Sequence, residues 1–528
     1  MSLLSIVHLF TRDSTDADFD NPGEEITDPS TEEMYQSWAL VILLGLLIAS
    51  LVTSYYLQSK KIQSLHESVL SIFAGMFVGL VVRLSPGHFI QSHLTFSHSY
   101  FFNILLPPII LNSGYQLHQQ RFFENSFSIL IFAFLGTFLA CVTLGVLLWV
   151  WAAIGLEGID LPFVDAIGVG ATLSATDPVT ILSIFNAQKV DPKLYSIIFG
   201  ESLLNDAVCI VIFETAQKLR GDVMTFHAVM KGVGIFLVTF TISLMIGVFV
   251  GVLTALMLKH TRVRRFPEIE SCLVLLLAYF TYFFSNGCHM SGIVSLLFVG
   301  ITLKHYAYYN MTRRTQLAIK YTFQILAQLS ENFIFVYLGL TLFTNDELVF
   351  RPLLITITAI GICLSRYVAV FPLSQLINRV YRLKSDYRNN HHPSSAVNRN
   401  DYDHPNQFVV NEQEIPEQYQ YMLFWAGLRG AVGVALAAGI EGPNADQLRA
   451  AVLVVVVLTV VVFGGTTVRM LEILGIQTGV EEEQDSDDEF DLMPVRPAIA
   501  TPSEPRNGSS KWFNELDTKV FKPVLLET

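Results

Sequence analysis

Long apolar runs recur along this chain, and they decide its solvent before any other feature is read. Segments at about 37–57, 67–84, 99–116, 125–152, 161–186, 192–217, 226–258, 268–285, 289–305, 317–343, 351–376, 416–440 and 447–474 are dominated by Leu, Ile, Val, Phe, Ala and Gly. A helix of about 20 apolar residues crosses the hydrocarbon core of a bilayer. The chain therefore reads as an all-α polytopic membrane protein with thirteen expected crossings. Composition agrees: of 528 residues, 52% are hydrophobic and 15% charged, against about 25% charged in soluble proteins.

The net charge of −13 is concentrated at the ends. Residues 1–34 hold nine acids and one base, Arg12, and the run "EEEQDSDDEFD" at 481–491 holds eight acids and no base. With those two segments set aside, the rest of the chain is slightly basic. No basic patch suited to phosphate neutralisation stands out, so nucleic acid is not an expected partner. Membrane lipids are. The five cysteines, Cys141, Cys209, Cys272, Cys288 and Cys363, form no CxxC motif, and they read as small buried side chains rather than disulfides or metal ligands. Residues 3–10 are too short and lack the basic flank of a cleaved signal.

Lys and Arg in short loops set orientation. Lys60 and Lys61 follow the first apolar segment, and Lys259, Arg262, Arg264 and Arg265 follow the seventh. Lys304, Arg313, Arg314 and Lys320 surround the loop after the ninth; Arg379, Arg382, Lys384 and Arg388 follow the eleventh. All follow odd-numbered segments, while the opposite loops "GLEGID", "NDE" and "EGPNAD" are acidic or neutral. The expected arrangement is an acidic lumenal N-terminal tail over 1–35, a transmembrane region over 36–475, a flexible cytosolic loop over 385–415 and an acidic cytosolic tail over 476–528. The last residues regain aromatic and apolar character suited to docking cytosolic regulators or the membrane. His88, His93 and His98 fall in an expected lumenal loop, where a histidine titrates near neutral pH. The sequon at Asn310 falls on the cytosolic side and should be silent.

Several apolar segments carry charges in their middles, each costing on the order of 3 kcal/mol at a bilayer centre. In "FGESLLNDAV" (199–208), residues four apart share a helix face. Ser202 aligns with Asp206, and Glu201 with Asn205. Asp206 with a hydroxyl one turn away offers oxygens suited to a hard cation such as Na⁺ or K⁺. Apolar surroundings favour neutralising a carboxylate, by a proton or by a metal ion. A group that holds either one is the minimum equipment for exchanging them. In "GVGATLSATDPVT" (168–180), Asp177 precedes Pro178. Proline removes a helix donor and disfavours helical geometry in the residue before it, so the fifth segment should break near Thr176 and free carbonyls there. In "GLRGAVGVALAAG" (427–439), three glycines bracket Arg429 in the twelfth segment. Broken helices in corresponding halves suggest inverted repeats and a transport site at the bilayer midplane. Buried charges must pair. Glu201 and Glu331 balance Arg366 and Arg429 as structural ion pairs, in a pairing the sequence leaves open. Asp177 and Asp206 remain for a transported cation or proton.

These residues carry a resemblance. "ATDPVT" (175–180), "FGESLLNDAV" (199–208), "SENFIF" (330–335), "GLRGA" (427–431) and "FFNILLPPII" (101–110) resemble the eukaryotic Na⁺/H⁺ exchanger family of monovalent cation/proton antiporters. "TSYYL", "NGCHMSGIVSLL", "KHYAYYN" and "SDDEFD" resemble its fungal endosomal and vacuolar branch. The resemblance implies a homodimer. Core helices (about 125–217 and 351–474) would move past dimerisation helices (about 37–116 and 226–343). It implies that Asp206 is the exchanging carboxylate, with Asn205 beside it and with Ser202, Thr176 and Asp177 helping to coordinate the cation or shaping its cavity. It further implies that Glu201 pairs with Arg366, that Arg429 lies at the crossover, and that Phe101, Phe102, Leu106, Pro107 and Pro108 belong to an amiloride-sensitivity motif. No cofactor is expected, only transported Na⁺, K⁺ and H⁺, and no catalytic residue. The implied function is electroneutral exchange of lumenal H⁺ for cytosolic Na⁺ or K⁺ across endosomal or vacuolar membranes, setting lumenal pH and cation content. Two other readings of the same acids are a cation channel, lined by them, and an intramembrane hydrolase built on paired aspartates such as Asp177 and Asp206.

Overall fold

Every regular element among the described residues is helical. The computed structural model describes residues 29–60, 67–84, 100–117, 119–155, 157–177, 179–221, 226–345, 348–391, 414–479 and 521. Most of the acidic N-terminal tail, the loop histidines, and almost all of the C-terminal tail lie outside them. In chain order the helices are α1 (Pro29–Lys60), α2 (Glu67–Leu84), α3 (Leu106–Tyr115), α4 (Ser126–Ile154), α5a (Phe163–Thr172), α5b (Val179–Gln188), α6 (Pro192–Lys218) and α7 (Phe226–His260). They continue as α8 (Pro267–Gly287), α9 (Gly292–Thr302), α10 (Arg313–Thr344), α11 (Pro352–His391), α12a (Glu417–Trp425), α12b (Ala431–Ala438) and α13 (Ala445–Leu474). Nine helices among the described residues are long and apolar enough to cross a membrane: α1, α2, α4, α6, α7, α8, α10, α11 and α13.

The fifth and twelfth segments are interrupted as their proline and glycines predict. α5a ends at Thr172 and α5b begins at Val179; α12a ends at Trp425 and α12b begins at Ala431. The double proline of the third segment sits at the first positions of α3, where a missing N–H costs least, after a π-helical turn over Phe101–Leu105. α6 opens with Asp191, whose side chain accepts from Lys193 N at 2.8 Å, and with Pro192 in the first turn. That pairing marks a helix start.

The helices pack as two groups. α2 runs along α10, with α1, α3, α7, α8 and α9 completing the first group; α4, α5a, α6, α11, α12 and α13 form the second. The α2–α10 contact is a close approach of backbones: a Cβ on Gly75 would strike the Val336 carbonyl, and one on Gly339 the Ile72 carbonyl. Small residues permit such approach between membrane helices. The seam between the groups includes α6 against α7 and α9, α10 against α12b and α13, and α2 against α13.

Some expectations need correcting. Helix α11 continues to His391, so residues 385–391 are not loop. At the far end of that segment Ile415 is anchored, its N donating to Asn378 Oδ1 at 2.8 Å. α1 begins at Pro29, inside the expected tail. Only Cys141 and Cys209 are buried; Cys272 on α8 and Cys363 on α11 lie on outward-turned faces, and Cys288 is exposed in the turn after α8.

Candidate ion-binding site

The two interrupted segments cross at their breaks. The Asp177 N–H donates to the Leu428 carbonyl at 2.9 Å. A side chain at Gly430 would collide with Asp177, so that position has room for glycine alone. α6 runs past this crossing with four-fifths of its most apolar window buried, and it carries the residues that hold the break.

A broken helix exposes carbonyls that need donors. In α5 the protein supplies them. Ser174 O accepts from Asn205 Nδ2 at 3.0 Å and from Arg429 Nη1 at 2.9 Å. Ala175 O accepts from Arg429 Nη1 at 3.2 Å. Thr176 O accepts from the Ser202 hydroxyl. The sequence predicts carbonyls freed near Thr176; in the structure each of these three accepts at least one hydrogen bond. The second break is treated likewise: Arg366 Nη2 donates to Leu423 O, near the end of α12a, at 2.7 Å. A guanidinium against the C-terminal end of a half-helix also meets the negative end of its dipole.

Asn205 is saturated. Its Nδ2 donates to Ser174 O and to Thr176 Oγ1 at 3.1 Å. Its Oδ1 accepts from the Thr137 hydroxyl at 2.8 Å and from Cys209 Sγ at 3.0 Å. An amide has two donors and two lone pairs, so all four positions are filled. Asn205 is a strut between α4, α6 and the break, and in this arrangement it has no lone pair for a cation.

Glu201 and Arg366 form a buried pair, Nη1 donating to Oε1 at 2.7 Å. Glu331 and Arg429 depart from the ion-pair expectation. Neither meets an opposite charge within bonding distance among the described residues. Arg429 is fully buried and spends Nη1 on carbonyls, while its Nε and Nη2 have no partner. Glu331 lies near two like charges, Asp177 and Glu67, because α10 places it beside the start of α2 and the α5 break.

Asp206 differs from its neighbours. Glu201, Ser202 and Asn205 are buried, but Asp206 is partly exposed. Among the described residues it has no hydrogen bond and no ion pair, and its charged neighbour is Asp177. Both carboxylates are partly exposed beside the capped break, and as like charges they repel each other. Such a pair is suited to accepting positive charge, as a proton or as a cation. Among the described residues no group of three or more His, Cys, Asp or Glu has the arrangement of a resident metal centre. The remaining sequence-chosen residues lie away from this crossing. Phe101 packs on Tyr337 with ring centres 5.2 Å apart, and Phe102 O accepts from the Tyr282 hydroxyl at 2.6 Å. Leu106, Pro107 and Pro108 are buried. Thr137, Ser174, Cys209 and Thr459, whose Oγ1 accepts from Arg429 N at 3.3 Å, escape a sequence reading, because a small hydroxyl or thiol in an apolar run gives no signal.

Residues 46–473 match the family model described as sodium/hydrogen exchanger, transmembrane. The chain is 63% identical over 466 residues to the endosomal/prevacuolar sodium/hydrogen exchanger of Saccharomyces cerevisiae, covering 88% of this chain and 72% of that one. It is 30% identical over 549 residues to sodium/hydrogen exchanger 9 of Homo sapiens, covering 92% and 80% respectively. Among solved structures it resembles the sodium proton antiporter MjNhaP1 of Methanocaldococcus jannaschii at pH 8, with a TM-score of 0.62 and 16% identity over 84% of this chain and 100% of that chain.

Proposed function

The chain belongs to the sodium/hydrogen exchanger family, and on that premise we propose that it exchanges lumenal H⁺ for cytosolic Na⁺ or K⁺ with Asp206 as the carrier carboxylate. The observation that supports this is the state of Asp206: partly exposed, unpaired among the described residues, and set beside the like charge of Asp177 at a broken helix. Asp206 binds a proton or a cation, never both, so each cycle moves one charge each way and is electroneutral. Asp177 shares the cation; Ser202 and Thr176 shape the cavity, and Asn205 holds it in place. Glu201–Arg366 and Arg429 keep the two breaks rigid while the site changes sides.

The second group of helices, α4–α6 with α11–α13, moves past the first, which forms the homodimer; the sparse contacts along the seam suit such sliding. Counting both interrupted segments and the short runs at α3 and α9 as crossings gives thirteen, with the C-terminus in the cytosol. The compartment is endosomal or prevacuolar, as the name of the yeast relative indicates. There the exchanger loads cation and raises lumenal pH, and cytosolic regulators act on the tail. A channel would need a continuous pore that conducts without moving protons the other way, and the antiporter fold does not favour it.

The test is dequenching of a pH dye in acidified vesicles on addition of Na⁺ or K⁺. Wild type should alkalinise the lumen. Asp206→Asn should fold, reach the membrane and show only background dequenching. An active Asp206→Asn would remove the mechanism.

A further inference from the structure

Threonines inside membrane helices ordinarily return their hydroxyls to the carbonyl four residues back. Thr172, Thr215, Thr254, Thr302 and Thr358 all do so here, at 2.7–2.9 Å. Thr137 does not. It is buried, and its hydroxyl leaves α4 altogether to donate to Asn205 Oδ1 on α6 at 2.8 Å. The cause is local. Residues Ile131–Gly136 of α4 form a π-helical turn that ends at Thr137. One extra residue in a turn re-aims whatever follows it, and such turns recur at functional sites. Here the turn packs on α6 and delivers Thr137 to the strut.

We infer that Thr137 is a positioning residue for cation exchange: its hydroxyl fixes the Asn205 amide so that Nδ2 stays on Ser174 O and Thr176 Oγ1. Asn205 Oδ1 has two lone pairs, one held by Thr137 and the other by Cys209 Sγ. A thiol is a weak donor, so the hydroxyl carries most of the restraint. Without it a buried oxygen is left half-satisfied, the amide turns to find a donor, and the break loses its hold on Thr176. The cation-binding side of the break then loosens while Asp206 itself is untouched. This rests on Asp206 being the carrier, yet it fails separately. An active Asp206→Asn overturns the carrier reading, whereas the outcomes below bear on Thr137 alone.

The experiment compares Thr137→Val, which keeps shape and removes the donor, with Thr137→Ser, which keeps the donor. Both are full-length protein in reconstituted vesicles, assayed for Na⁺ and K⁺ half-saturation, maximal rate and pH profile. Loss of one net hydrogen bond is worth roughly fivefold in an equilibrium constant. Thr137→Val should raise cation half-saturation by about that factor in both cations, with a smaller change in maximal rate and a displaced pH profile. Thr137→Ser should restore wild-type values. Adding Thr137→Val to Asn205→Ala should cost nothing further, since the two act through one contact. If Thr137→Val does not fold, Thr137→Cys, a weaker donor, should fall between Thr137→Ser and Thr137→Ala. Unchanged half-saturation and pH profile in Thr137→Val, multiplying losses in the double variant, or a Thr137→Ser as impaired as Thr137→Val would each overturn the inference.

Discussion

The two interrupted helices are built alike and charged oppositely. Each is a pair of half-helices, and in each a guanidinium from another segment caps carbonyls where the first half ends: Arg429 caps Ser174 and Ala175, and Arg366 caps Leu423. The α12 break contributes that arginine, fully buried, and spends it on the backbone. The α5 break contributes Asp177, which is partly exposed and is the charged neighbour of Asp206. The guanidinium at the crossing is buried and fixed, whereas the two carboxylates are partly exposed. Had Arg429 paired with a carboxylate instead, the site would hold a permanent internal counter-ion, and a transported one would have to displace it.

Arg429→Met would break this comparison most severely. It strips the donor from Ala175 O and one of the two donors from Ser174 O, which keeps Asn205 Nδ2, and a buried group left unsatisfied costs about 1–3 kcal/mol. Thermal unfolding in detergent should move to a lower temperature, and exchange should be lost with it. A variant as stable as wild type would show that the guanidinium does not hold the break. Asp177→Asn should do the reverse. Its effect on stability should be much smaller than that of Arg429→Met, because the carboxylate is partly exposed and an amide of the same shape removes its repulsion with Asp206, while cation half-saturation rises by an order of magnitude or more. Asp177→Asn with wild-type half-saturation would place Asp177 outside the site and leave Asp206 to act alone.

Much of this was legible in the sequence because proline, glycine and charge are conspicuous in apolar runs. Asp177-Pro178 marks the α5 break, the glycines around Arg429 mark the α12 break, and Asp206 marks the candidate site on α6. Partner choice was not legible. Glu331 and Arg429 balance on paper, but helix rotation points the guanidinium at Ser174 and Ala175 and leaves Glu331 near the acids Asp177 and Glu67. Nor could the spacing of Asn205 and Asp206 say which of the two is consumed by hydrogen bonds. That depends on Thr137, 68 positions away in the chain, and on a π-helical turn that no apolar pattern announces.

The central claim is that one carboxylate holds a proton or an alkali cation but not both. Purified full-length protein in weakly buffered detergent solution, titrated with NaCl or KCl against choline chloride at constant ionic strength, tests it directly. One proton should be released for each cation bound by the wild type, and none by Asp206→Asn. Cation binding without proton release, or equal release from the variant, would contradict the account.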